Sequence, residues 1–239
     1  MPAHSVAQLK TLGLVLMTSL WLFLTACTDQ QTQQEGGGQE SVKEESLTGS
    51  FVGEIPEANT FVALVAQEPQ EGEDQQQLRA YLCDGTSINE WFNEGSVEET
   101  EFDLTSDGGA RLVGSLKRDV DSSWVSGQVF LADGTVLPFG APPATGISGL
   151  YEGRISEGEL SGTSETGGRI EGQVGDEVEN GRYPTSGIIT LPEGQSQDLE
   201  WFVTADASGE LRFIVLADGR IKGGFKKGEG AGFIDTGTH

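Results

Sequence analysis

The chain has 239 residues, with 14 lysines and arginines against 38 aspartates and glutamates, 35 glycines, two cysteines and two histidines. A net charge of −24 excludes electrostatic adsorption to nucleic acid and disfavours passive adsorption to anionic lipid, since both need a basic footprint. Glycine stands at roughly twice its usual share without a three-residue period, which excludes a collagen helix and assigns the excess to turns and close backbone approaches.

Residues 1–26 read as an export signal. A weakly basic start, with His4 and Lys10, precedes an apolar run from Leu12 to Leu24. That run is shorter than the ~20 residues needed to span a bilayer core, so a signal peptide is expected in place of a transmembrane anchor. The run ends in Leu24-Thr25-Ala26-Cys27, which resembles the bacterial lipobox. The resemblance implies that Cys27 becomes the first mature residue and is lipidated, its sulfur carrying a diacylglycerol. The implied location is a bacterial membrane, on the extracytoplasmic face, in the periplasm or at the cell surface. Two or more acyl chains, at about 0.8 kcal/mol per buried CH₂, suffice to hold a soluble domain there.

Loss of residues 1–26 removes both methionines, Lys10 and His4, leaving His239 as the sole histidine and a net charge of −25. With Cys27 lipidated, Cys83 is the sole thiol and forms no intramolecular disulfide. Serine or cysteine triads that need an internal histidine cannot be assembled, and neither can histidine or multi-thiolate metal sites. No Walker loop is present. The expectation is therefore a protein that is not an enzyme, with no cofactor and no metal.

Residues 27–47 follow as a tether rich in glutamine, glutamate and glycine, too poor in apolar side chains to offset its ordering entropy. From residue 48 onward, short apolar or alternating runs are separated by glycine turns. Glu101-Phe102-Asp103-Leu104-Thr105 alternates as a half-buried strand does. Asp107-Gly108-Gly109 then leads into Arg111-Leu112-Val113-Gly114-Ser115-Leu116, predicting a hairpin. The best helical candidate is Ser87–Phe92, with Ser87 as N-cap and Glu90 three residues on.

Internal repetition is extensive. Leu-x-Asp/Glu-Gly recurs at Leu82–Gly85, Leu131–Gly134, Leu191–Gly194 and Leu216–Gly219, each marking a turn after a core leucine. Gly108–Leu131 resembles Gly167–Leu191, Leu78–Gly85 resembles Leu211–Gly219, and Gly49–Ile55 resembles Gly149–Ile155. About 14 strands are predicted in two halves, 48–140 and 145–239, meeting near Ala141-Pro142-Pro143. The expected fold is all-β, an antiparallel up-and-down meander closing into one or two small barrels or a sandwich.

Candidate sites are few. Cys83 lacks a nearby histidine or lysine to activate it and reads as a structural thiol. Asp84, Asp133, Glu193 and Asp218 read as turn residues, and the acidic stretch Glu94–Asp103 as a solvated face. Aromatic residues at strand positions are first of all core. Of these, Trp91, Trp124, Tyr151, Tyr183 and Trp201 are the candidates to line a ligand site. Leu47-Thr48-Gly49-Ser50-Phe51 resembles the first strand of avidin- and lipocalin-like barrels, which implies a calycin-like barrel binding a small apolar ligand as one alternative. A carboxylate-dependent hydrolase is another. Arg220, Lys222, Lys226 and Lys227 are expected to guard an edge strand against sheet-to-sheet pairing. The leading expectation is a membrane-anchored, non-catalytic binding or scaffolding module. Its partners are the membrane, through the lipid, and a cationic or protein partner, with no nucleic acid.

Overall fold

Alternation and glycine turns resolve into an all-β, antiparallel architecture in a computed structural model. The structure describes residues 47–69, 75–119, 122–178, 180–204, 208–226 and 232–236. The expected export signal, Cys27 and most of the tether lie outside them.

The first eight strands are β1 (Gly49–Ile55), β2 (Thr60–Gln67), β3 (Gln76–Cys83), β4 (Asn89–Glu98), β5 (Glu101–Thr105), β6 (Arg111–Arg118), β7 (Ser123–Phe130) and β8 (Val136–Ala141). They pair in chain order as one meander. The ends are brought together by a bridge between Phe51 and Pro143 and by two backbone bonds, Val52 N–H to Pro142 O at 3.0 Å and Ala144 N–H to Ser50 O at 2.8 Å. The sheet is thereby a nearly closed barrel.

The second eight are β9 (Gly149–Ser156), β10 (Glu159–Ser164), β11 (Arg169–Val174), β12 (Arg182–Thr190), β13 (Ser196–Thr204), β14 (Gly209–Val215), β15 (Ile221–Phe225) and β16 (Phe233–Asp235). They form a closed barrel in the order β10-β11-β12-β13-β16-β15-β14-β9. The chain leaves β13, passes over two positions to pair β14 with β9, and returns through β15 and β16. Sixteen strands stand where about fourteen are predicted, because an element as short as β16 carries no readable alternation.

Two sequence expectations fail here. Ser87–Phe92 is a turn running into β4, because the Asp84 carboxylate takes the local donors. Its Oδ1 accepts the N–H of Thr86, Ser87 and Ile88 at 2.7–2.8 Å, an Asx-type turn that competes with helix. The basic segment at Arg220–Lys226 is not an edge: β15 lies between β14 and β16, and Lys222 is buried. Lys227 lies outside the described residues.

Five of the hairpin turns share one design. Gly109, Gly134, Gly167, Gly194 and Gly219 all have φ between 82° and 89°. Each donates its N–H to the carbonyl three residues earlier at 2.9–3.0 Å. This is a type I turn closed by a left-handed residue, where glycine avoids the Cβ clash.

Each barrel has its own core. Phe51, Leu64, Leu82, Phe92, Leu112 and Val129 belong to the first, and Tyr151, Ile170, Trp201, Phe213 and Phe225 to the second. A third cluster, Val52, Phe61, Ala63, Val65, Tyr81, Cys83, Leu150, Ile214 and Leu216, comes from the opposite faces of β1–β3, β9 and β14. It packs barrel against barrel. Strands buried on both faces lose their alternation, which is why Phe61–Ala66 is an unbroken apolar run buried throughout.

Candidate functional site

Two features of the outer surface are candidates: a polar lattice along the seam between the barrels, and a concave face on each barrel. The lattice grows from the repeat. Arg79 of β3 and Arg212 of β14 occupy matching positions, and both reach Glu152 of β9, at 3.1 Å and 2.7 Å. Arg79 also pairs with Glu165. The Arg212 guanidinium lies over the Trp91 ring, 4.4 Å from its centroid, and Trp91 meets Tyr81 edge-on at 5.9 Å. The Asn89 Oδ1 accepts from Tyr81 Oη at 2.9 Å and Trp91 Nε1 at 2.8 Å, while Asn89 Nδ2 donates to Phe225 O at 2.8 Å.

At the other flank Arg220 donates to both oxygens of Glu54, at 2.8 Å and 2.7 Å. Those donors hold the Glu54 carboxyl below its usual range in spite of partial burial, as charge-assisted bidentate pairing does. Lys222 Nζ donates to Asn59 O at 2.5 Å and faces the Phe61 ring. Burial pulls its pKa below the ordinary lysine value.

Cys83 sits inside this seam. It is fully buried, Gly85 N–H donates to its Sγ at 3.3 Å, and burial pushes its thiol up to about 12. A thiol so held supplies almost no thiolate near neutrality.

The five candidate aromatic residues are not gathered in one place. Tyr151 and Trp201 are core of the second barrel. Tyr151 stacks on Phe213 at 5.3 Å and donates to Ile147 O at 2.9 Å. Trp91 belongs to the seam. Trp124 and Tyr183 are partly buried at the starts of β7 and β12.

The concave faces were not foreseen. One, of about 1000 Å³, spans the outside of β4–β7 and is lined by Glu98, Glu101, Asp103, Arg111, Ser115 and Ser126 among others. The second, of about 930 Å³, spans β9–β13 with Glu157, Glu159, Glu171, Ser186, Asp198 and Glu200. Each crosses a pair of glycines in register, Gly114 with Gly127 and Gly172 with Gly187. On the inner side these glycines leave room for rings: a Cβ on Gly114 would meet Phe102 Cζ at 2.8 Å, and one on Gly187 would meet Trp201 Cη2 at 2.6 Å. The signal was present in the sequence as two matching glycine positions per repeat.

Among the described residues, no group of three or more His, Cys, Asp or Glu side chains is placed to hold a metal ion. No described helix is long and apolar enough to cross a membrane. Comparisons with protein-family models, curated proteins and solved structures return no match.

Proposed function

We propose that the chain is a membrane-anchored extracytoplasmic lipoprotein whose paired barrels form a non-catalytic binding or scaffolding module. The observation that carries the binding role is the pair of repeat-related concave faces, which give one chain two similar polar surfaces of about 1000 and 930 Å³. Filling of both interiors by large apolar side chains favours surface binding over the calycin-like alternative. The acids that line the faces lie on open sheet, which favours recognition over the hydrolase alternative, whose two carboxyls need a shared cleft. The anchor rests on Leu24-Thr25-Ala26-Cys27.

Metabolic labelling with a palmitate analogue tests the anchor. Label on the wild-type chain and none on Cys27→Ser is the expected result. Equal labelling of both, or of neither, contradicts it.

A further inference from the structure

The hairpin between β11 and β12 ends in a turn built differently from the five that share a design. Val178 N–H bonds to Arg182 O at 3.0 Å across it. Asn180 and Gly181 both take the left-handed region, with φ of 54° and 72°. In the five shared turns the glycine N–H is locked onto a main-chain carbonyl. Gly181 N–H donates to a side chain, Glu177 Oε1, at 2.8 Å. Asn180 is exposed, and among the described residues a Cβ built on Gly181 would meet nothing within 4 Å. An amide side chain and an unhindered backbone nitrogen are thus neighbours at a solvated tip.

The rest of the chain supplies internal controls. Asn59 precedes Thr60, which is β-branched and buried. Asn89 precedes Glu90, and its amide is bound to Tyr81, Trp91 and Phe225 O. Asn93 precedes Glu94 and donates to Asp107. Asp84, Asp107, Asp133 and Asp218 precede glycines, but a carboxyl ionised at neutral pH is a poor electrophile. Asparagine meets glycine only at Asn180.

We infer that Asn180–Gly181 is a site of spontaneous deamidation, restrained by the Glu177 carboxylate. Gly181 N gives its proton to hydroxide and bonds to Asn180 Cγ. The Cγ–Nδ2 bond breaks, and the nitrogen leaves as ammonia with a proton from water, which regenerates hydroxide and closes a succinimide ring. Water then adds to one of the two ring carbonyls. Opening at Cγ gives aspartate. Opening at the main-chain carbonyl gives isoaspartate, with the chain running through the former side-chain carbon. Each event consumes water and releases ammonia, with no change of oxidation state.

Glu177 sets the pace. The nucleophile is the amide anion, and a carboxylate that accepts from the N–H favours the protonated form and repels the charge that replaces it. Arg182, the cation next in the chain, lies over the Phe202 ring, 4.1 Å from its centroid. The tip stands beyond the last pair of β11 with β12, Val174 with Thr185. The products therefore keep the barrel and add a negative charge at its end. This inference goes beyond the binding-module reading and does not rest on it.

The test incubates the full chain at neutral and mildly alkaline pH. The peptide holding Asn180 is followed by chromatography and mass spectrometry, and amide exchange is read at Gly181 and Val178. Conversion of amide to acid at Asn180 is expected, as two products and faster at the higher pH, while Asn59, Asn89 and Asn93 stay amides. Glu177→Ala should speed both deamidation and Gly181 exchange about tenfold by removing the charged acceptor, and leave Val178 exchange unchanged. Asn180→Gln should keep the chain in one charge form on isoelectric focusing. An Asn180 that stays an amide as long as the other three would overturn the site. Equal rates in Glu177→Ala and wild type, or a rise at Val178 as large as at Gly181, would overturn the restraint by Glu177.

Discussion

The two barrels use one local code and end differently. Both turn their hairpins on left-handed glycines, both cross a glycine pair beneath a ring, and both present a concave polar face. The first runs as a plain meander whose last strand lies against β1. The second reroutes β14 to pair with β9 and, among the described residues, closes where β16 pairs with Phe202 and Val203 of β13. A repeated unit can therefore preserve turns, core and curvature while the strand that seals the barrel diverges.

The seam is what the barrels share, so the largest effect should come from cutting it. Phe61 is fully buried in the inter-barrel cluster. Phe61→Ala should cost about 3–5 kcal/mol and lower the melting of both barrels in one calorimetric transition. Loss confined to the first barrel would separate them.

The glycine pairs sharpen the comparison. A Cβ on Gly127 would collide with Val113 O, a backbone atom that cannot move alone. At Gly187 the nearest obstacle is the tip of the Trp201 ring, with Glu171 O at 2.8 Å. Gly127→Ala should therefore destabilise by about 2–3 kcal/mol and Gly187→Ala by less, as read by denaturant midpoints. Equal losses would mean that the glycine pairs are equivalent in the two barrels.

The lattice contributes next. Glu152→Gln leaves Arg79 and Arg212, side chains only 14% and 17% exposed, facing one another without their shared carboxylate. A loss of about 1–2 kcal/mol is expected, with a shift in Trp91 fluorescence.

A smaller effect is acid dependence from Glu54. Its folded pKa lies below the ordinary 4.5, so the unfolded chain takes up the proton first as pH falls. The contribution is complete above about 4.5 and is lost as pH drops through the folded value. Glu54→Gln should flatten the stability profile in that acid window relative to wild type.

Much of this was legible beforehand. Alternation in Glu101–Thr105 marked β5, and the repeated turns announced two related halves. Misreadings came where a longer-range partner outweighed the local signal. At Ser87–Phe92 the capping pattern pointed to a helix, but Asp84 captured the donors and Trp91 was wanted by the seam. At Arg220–Lys226 the basic residues suggested an edge, yet Arg220 is spent on Glu54 and Lys222 on Asn59 O, partners more than 160 positions away. The unbroken apolar runs Phe61–Ala66 and Phe213–Leu216 held the seam's signature, since only strands covered on both faces read so.

Strand-resolved hydrogen exchange on the full chain tests most directly that the two barrels make one body. Slow exchange with a common opening free energy is predicted for β2 and β14, on opposite sides of the seam. Distinct opening energies for β2 and β14 would contradict the account.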